Sequence, residues 1–104
     1  MLDLPRLSNK EALILEVLIV SAKPLYGLEM VEGSSGSLKK GTIYVTLMRM
    51  KDKGLIDSKP EPRASPEIGI ARRLYWPTGV GERVFAAYTV AKNDFNELSR
   101  GVLA

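Results

Sequence analysis

The chain has 104 residues, of which 45% are apolar and 26% are charged, and its formal net charge is +3. These values are ordinary for one globular domain, or for one domain with an appended helix. The sequence contains no cysteine and no histidine, which excludes a disulfide framework and removes the commonest general base and the commonest metal ligand. The composition therefore argues against an enzyme, a metal site and a cofactor.

The positive charge is concentrated in one segment of the chain. Residues 39–73 include nine basic and four acidic side chains, a net charge of +5, so the rest of the chain sums to −2. Such a segment favours a phosphate-bearing partner. The longest apolar run, residues 12–20, is too short to cross a bilayer, and the N-terminus has no signal-peptide pattern. We therefore expect a cytoplasmic protein without a membrane partner.

Two helices are predicted in the first third of the chain. Ser8 and Glu11 have the spacing of a capping box, and the strongly apolar helix that they start is expected over residues 9–22. A short helix over residues 25–32 follows, in which Gly27 allows a neighbouring element to approach closely. A connector rich in glycine and serine comes next.

The third predicted helix covers residues 39–53 and is amphipathic. Ile43, Leu47 and Met50 recur at i, i+4 and i+7, which predicts a buried stripe. The opposite face is small, polar and basic, and such a face fits a nucleic-acid groove. An ordinary surface helix has the same pattern, so this helix alone does not decide between the two interpretations.

Two strands and a long helix are predicted after Gly54. Residues 55–59 and 71–76 favour strands, and the proline-rich segment between them suits an exposed hairpin tip, so that together they form a wing. Thr78 is a good N-cap for the last helix. Its apolar residues follow an a/d seam that favours dimerisation over packing on its own domain: Val84, Tyr88, Ala91, Phe95, Leu98 and Val102.

The element order and several sequence pieces resemble the PadR-like transcriptional regulators. The pieces are Leu-Tyr-Gly-Leu-Glu-Met at residues 25–30, Gly-Thr-Ile-Tyr at 41–44, Lys-Gly-Leu-Ile at 53–56 and Arg-Arg-Leu-Tyr-Trp-Pro-Thr at 72–78. The resemblance implies a mainly α fold with a two-stranded β-wing. Residues 1–77 would form a winged helix-turn-helix DNA-binding domain, and residues 78–104 a long C-terminal dimerisation helix.

The resemblance also implies a function, namely a repressor that binds a palindromic operator in double-stranded DNA as a homodimer. The third helix would read bases and bind phosphates at its N-terminus, and the wing would follow the flanking backbone. Asp52 is expected to point away from the DNA. The residues expected to contact DNA are Lys39, Lys40, Thr42, Tyr44, Val45, Thr46, Arg49, Lys59, Arg63, Arg72 and Arg73.

A small aromatic effector is a further implication of the resemblance, because members of this family often bind such molecules between the last helix and the core. Its site would be lined by Leu15, Trp76, Tyr88 and Phe95, although aromatic residues at this spacing are more often plain core. A winged-helix protein–protein interaction module without sequence-specific DNA binding is the alternative function, since a basic segment also fits an acidic protein.

Overall fold

The architecture is that of a small helical domain with one antiparallel sheet. A computed structural model describes residues 6–61 and 72–103, and the side chains of residues 6–61 and 72–93. Within these residues the chain forms four helices and three strands, in the sheet order β1-β3-β2. The elements are α1 (Asn9–Ser21), β1 (Leu25–Tyr26), α2 (Gly27–Gly33), α3 (Ile43–Asp52), β2 (Ile56–Pro60), β3 (Arg73–Pro77) and α4 (Gly79–Leu103).

The first helix begins as predicted. The Ser8 hydroxyl accepts a hydrogen bond from the Glu11 N–H at 3.1 Å, and the Glu11 carboxylate accepts one from the Ser8 N–H at 2.9 Å, which completes the capping box. The helix ends at Ser21, one residue before the predicted end, because Ala22 adopts the left-handed conformation with φ 55°.

The second helix begins two residues later than predicted, and the segment before it is a strand. Leu25 pairs with Tyr75 and Tyr26 pairs with Leu74, so the predicted two-stranded wing is part of a three-stranded sheet. A strand of two residues has no alternation that a sequence pattern can detect, and its partner lies far along the chain. The prediction of a helix over residues 25–32 was therefore wrong at its start.

The third helix begins at Ile43, because the residues before it form a separate turn. The N–H groups of Thr42 and Ile43 both donate to the Lys39 carbonyl, at 3.2 and 3.0 Å. The other end follows the prediction, since Gly54 has a φ of +78° and its N–H donates to the Lys51 carbonyl at 2.9 Å. The Leu55 N–H donates to the Met50 carbonyl at 3.0 Å, which completes a Schellman motif.

Both wing strands begin later than predicted. They span Ile56–Pro60 and Arg73–Pro77. The two prolines lie at the strand ends, where a missing N–H disturbs the ladder least. Ser58 pairs with Tyr75 at the middle of the register. The predicted hairpin tip, which includes Arg63, lies outside the described residues.

The last helix is fixed to the domain at its first turn. The Thr78 hydroxyl accepts a hydrogen bond from the Gly81 N–H at 3.0 Å, as expected of an N-cap. A Cβ atom at Gly81 would lie 2.0 Å from the Leu55 carbonyl oxygen, so only glycine allows this approach. In the part of the chain that the structure describes, no helix is long and apolar enough to cross a membrane.

The hydrophobic core joins α1, α2, α3, the sheet and the start of α4. The predicted stripe of α3 lies wholly within it, because Ile43, Leu47 and Met50 are all buried. The core residues are Ile14, Leu15, Leu18, Leu25, Met30, Leu38, Ile43, Leu47, Met50, Leu55, Ile56, Tyr75 and Val84.

Candidate nucleic-acid interface

The outer face of α3 is open to solvent. Since the buried stripe faces the core, Thr42, Val45 and Arg49 lie together on the opposite side and are exposed. Thr46 is half-buried, and its hydroxyl donates to the Thr42 carbonyl at 3.2 Å. Thr42 is the N-cap residue, but its side chain makes no capping hydrogen bond and is available to a partner.

Tyr44 extends this face toward α2. Its ring lies over Gly27, where an added Cβ atom would be 2.9 Å from the Tyr44 Cε1 atom and 3.3 Å from the hydroxyl oxygen. The predicted close approach at Gly27 is thereby confirmed, and the approaching group is the Tyr44 ring. With 51% of Tyr44 exposed, its ring is held by α2 and still accessible to a partner.

Two lysines precede the helix. Lys39 and Lys40 are exposed and lie in the turn before α3, outside the helix to which they were assigned. The first turn of α3 has no acidic residue. The N-terminus of this helix therefore combines the positive end of the helix dipole with two nearby ammonium groups, an arrangement that favours a phosphate.

A second cationic cluster joins the C-terminal half of α3 to the sheet. The Ser58 hydroxyl oxygen lies 3.2 Å from the Lys51 Nζ atom, and 3.1 and 3.0 Å from the Arg73 Nε and Nη2 atoms. Among the described residues, the only ion pair is that of Lys53 with Glu11, so Lys51 and Arg73 meet at one hydroxyl without a carboxylate between them. Lys51 was not predicted as a contact residue, because its neighbours come from the register of β2 and β3.

The base of the wing contacts Tyr26 through Glu61 and Arg72. The Tyr26 hydroxyl donates to the Glu61 carboxylate, and the Arg72 guanidinium lies 5.5 Å from the Tyr26 ring centroid. The Glu61 N–H donates to the Arg72 carbonyl at 2.7 Å. The hydrogen bond to the Glu61 carboxylate, together with burial and the nearby negative charge, raises the pKa of Tyr26 above its ordinary value.

Lys59 is separated from the other predicted contact residues. Successive side chains of a strand point to opposite faces, and Ser58 faces α3, so Lys59 lies on the other face of the sheet. There it lines an open cavity together with Trp76.

The C-terminal end of α3 is held by both neighbouring helices. The Lys53 Nζ atom lies 2.7 Å from a Glu11 carboxylate oxygen, and the Thr78 hydroxyl donates to the Gly54 carbonyl at 2.6 Å. Burial opposes the ionised form of Glu11, but the bond to Lys53, the Ser8 N–H and the Lys53 charge outweigh it and lower the pKa of Glu11. The outer face of α3 is thus presented by a firmly fixed helix.

The first residue of the predicted dimer seam lies in the domain core, whereas Tyr88 and Ala91 are more exposed. Val84 is buried in the core of its own domain, so its assignment to a dimer interface was wrong; helical spacing does not distinguish a core from a partner. Tyr88 is half-buried, with its ring centroid 6.4 Å from that of Phe85, and Ala91 is exposed. The side chains of Phe95, Leu98 and Val102 lie outside the described residues.

The predicted effector site is not assembled as expected. Leu15 is completely buried in the core, and neither it nor Tyr88 lines the cavity that contains Trp76. This cavity has a volume of about 630 Å³. Its lining comes from the end of α1 and the residues that follow it, from β2 and β3, and from the start of α4: Leu18, Ile19, Ala22, Lys23, Pro24, Lys59, Trp76, Pro77 and Glu82.

The family model of the transcriptional regulator PadR-like family matches residues 14–87. A search of curated protein sequences found no significant match.

Solved structures give the same fold. A PadR family transcription regulator from Clostridium difficile is 28% identical, with a TM-score of 0.69 over 89% of this chain and 96% of that one. A PadR-like transcription factor from Bacteroides fragilis is 23% identical, with a TM-score of 0.74 over 89% and 88%. The PcaV transcriptional regulator from Streptomyces coelicolor, solved with its natural ligand, is 22% identical, with a TM-score of 0.73 over 94% of this chain and 64% of that one.

The family match covers well over half of the chain, and the predicted fold class is confirmed by these structures. The chain therefore belongs to the PadR-like family, whose members are regulators of transcription and not enzymes.

Proposed function

We propose that this protein is a transcriptional repressor that binds a palindromic operator in double-stranded DNA as a homodimer. The observation that carries the proposal is the outer face of α3, where Thr42, Val45 and Arg49 are exposed together on a helix whose opposite side is buried. An α-helix of this kind fits the major groove. The proposal places the protein in the cytoplasm, beside the DNA that it binds.

Each part of the interface has a role suited to its chemistry. Arg49 donates two hydrogen bonds to a guanine edge, and Thr42, Val45 and Thr46 lie against neighbouring bases. Lys39, Lys40 and Tyr44 bind phosphates at the start of α3. The wing contributes Arg63, Arg72 and Arg73 to the flanking backbone or minor groove. Lys59 is left out of the proposed interface, because it lies on the other face of the sheet and lines the cavity beside Trp76.

Dimerisation is assigned to α4 beyond its first turns. The helix has 25 residues. Val84 near its start is buried in the core of its own domain, whereas Val90 is 59% exposed. The proposed interface begins at Tyr88 and continues through the a/d positions. These are Tyr88, Ala91, Phe95, Leu98 and Val102.

The proposal also includes a small aromatic effector, and the cavity beside Trp76 is its candidate site. Support comes from the lining of this cavity, in which apolar side chains and Trp76 are accompanied by Lys23, Lys59 and Glu82. Further support comes from PcaV, a relative in fold that was solved with its natural ligand. Thermal unfolding against a panel of planar aromatic compounds tests this part. A panel in which no compound raises the melting temperature would contradict it.

The main experiment is selection of bound duplexes from a random pool, combined with light scattering of the free and bound protein. A palindromic site with half-sites about one helical turn apart, and a dimer on it, is the expected result. Transcription from a promoter that carries the selected site should then fall when the protein is added. Binding that enriches no sequence and is insensitive to salt would contradict the proposal and favour the protein-interaction module.

A further inference from the structure

An apolar patch lies on the face of α3 that is proposed to enter the major groove. Val45 is 48% exposed and Met48 is 60% exposed. Residues three apart on a helix are surface neighbours, so the two side chains form one patch. We call it the Val45–Met48 patch. The ring of Tyr44 is held over Gly27, on the side of the patch toward α2.

Few hydrogen-bonding groups accompany this patch. The Thr46 hydroxyl already donates to the Thr42 carbonyl. The Thr42 hydroxyl and the Asp52 carboxylate are exposed near the patch, and Arg49 is the side chain with the geometry for a bidentate base contact. In the major groove the only apolar feature of a base edge is the C5-methyl group of thymine. A patch of two apolar side chains therefore matches thymine better than any other base.

Charge on either side of the patch favours a nucleic acid over an apolar protein surface as its occupant. Lys39 and Lys40 lie at one end of α3, and Lys51 and Arg73 converge on Ser58 toward the other. These four cations would contact the backbones that border a groove, while an apolar protein surface would leave them desolvated without partners.

We propose that Val45 and Met48 recognise thymine methyl groups, so that each operator half-site carries thymines close to the guanine read by Arg49. This inference rests on the proposed function. Val45 and Arg49 are four positions apart, a rise of about 6 Å along the helix axis. At about 3.4 Å per base pair, the thymines lie within about two base pairs of the guanine.

Replacement of thymine by deoxyuridine tests the inference, because it removes only the methyl group and keeps the base pair. For each contacted thymine in the selected operator, the affinity should fall about fourfold, which is the equivalent of about 0.8 kcal/mol for one buried methyl at 1.4 kcal/mol per factor of ten. Thymines outside the half-sites should tolerate the replacement.

Protein variants identify the residues responsible. In Val45→Ala and Met48→Ala, the deoxyuridine effect should shrink at the thymine that each residue contacts. Val20→Ala, which truncates a still more exposed side chain on α1, should keep the full effect.

The outcomes separate the two proposals. If the protein enriches no duplex, both the proposed function and this inference are overturned. If it binds a specific operator that lacks thymine near the guanine, or if deoxyuridine does not weaken binding, only the inference is overturned.

Discussion

The Lys53 ammonium group lies 2.7 Å from the Glu11 carboxylate, so the C-cap residue of α3 is ion-paired with the capping-box residue of α1. Glu11 is buried, and its other carboxylate oxygen accepts the Ser8 N–H. One carboxylate therefore accepts a backbone N–H at the start of α1 and binds the residue that ends α3.

The first prediction is that this carboxylate makes stability depend on pH. The pKa of Glu11 is lowered in the folded state, so its contribution is present above the ordinary carboxyl pKa and is lost as the pH falls through the lowered value. Glu11→Gln should reduce the free energy of unfolding at pH 7 by about 1–3 kcal/mol, and should flatten the acid part of the pH profile.

Urea unfolding between pH 7 and the acid range measures both effects. Glu16→Gln is the matched control, because Glu16 lies on the same helix and is exposed. An equal flattening in the control would assign the acid dependence to general charge effects instead of to Glu11.

The second prediction concerns two glycines in the first turn of α4. Gly81→Ala would place a Cβ atom 2.0 Å from the Leu55 carbonyl oxygen, which is backbone and has little freedom to move. We expect a loss of about 1–3 kcal/mol or more in the free energy of unfolding. Gly79→Ala meets only the end of the Arg83 side chain at 3.4 Å, and should stabilise the protein by about 0.4–1 kcal/mol.

Chemical denaturation of the two variants beside the parent protein gives the comparison directly. Equal effects at the two positions would refute the packing explanation, since helix propensity alone treats them alike.

The third prediction uses the contact between Gly27 and Tyr44. Gly27 is the first residue of α2, where alanine is normally favoured, but its Cβ atom would meet the Tyr44 ring at 2.9 Å. In a Tyr44→Ala background, Gly27→Ala should therefore raise the free energy of unfolding by about 0.4–1 kcal/mol. In the parent background, this gain should be absent or reversed.

A double-mutant cycle measured by urea unfolding yields the coupling between the two positions. Additive effects would mean that the ring does not occupy the space above Gly27 in solution. The cycle thus tests the position of a predicted DNA-contacting residue without DNA.

Local patterns predicted those parts of the fold that depend on neighbouring residues. The capping box of Ser8 and Glu11 lies within one helical turn, and the buried stripe of α3 lies within about two. Both can therefore be recognised directly in the sequence. The stop at Gly54 is equally local, because a positive φ favours glycine.

Features that depend on tertiary register were not predictable in this way. Leu25 and Tyr26 are a strand only because β3 lies beside them. Lys51 meets Arg73 only because Ser58 lies between them in the folded sheet. Val84 has the spacing of a dimer seam, yet it is buried in its own core, since periodicity identifies an apolar face and not its partner.

The fourth prediction is that Lys51 binds a backbone phosphate. In the proposed complex, with α3 in the major groove and the wing at the minor groove, the DNA backbone passes between them, where Lys51 and Arg73 converge on Ser58. Lys51→Gln should weaken specific and non-specific binding alike, and should reduce the slope of log affinity against log salt by about 0.9. Lys23→Gln, which lies after the end of α1 and lines the cavity beside Trp76, should leave the slope unchanged.

Fluorescence anisotropy at a series of salt concentrations measures these slopes. A Lys51 variant with the parental slope would show that its charge is not near a phosphate in the complex.

The last prediction separates base recognition from phosphate binding. Arg49 is exposed on the outer face of α3 and has the planar group that pairs with a guanine edge. Arg49→Ala should weaken binding to the selected operator by about 1–3 kcal/mol and relax the preference at one base pair of each half-site. Arg83→Ala, which removes an exposed arginine of α4, serves as the control for loss of one positive charge.

Repeating the duplex selection with both variants gives the base preferences, and titration of the parental operator gives the affinities. If Arg49→Ala selected the same operator with the same stringency as the parent, α3 would not be docked with this face in the groove. Because the side chain is exposed, its removal leaves the fold intact, so such a result would bear on docking alone.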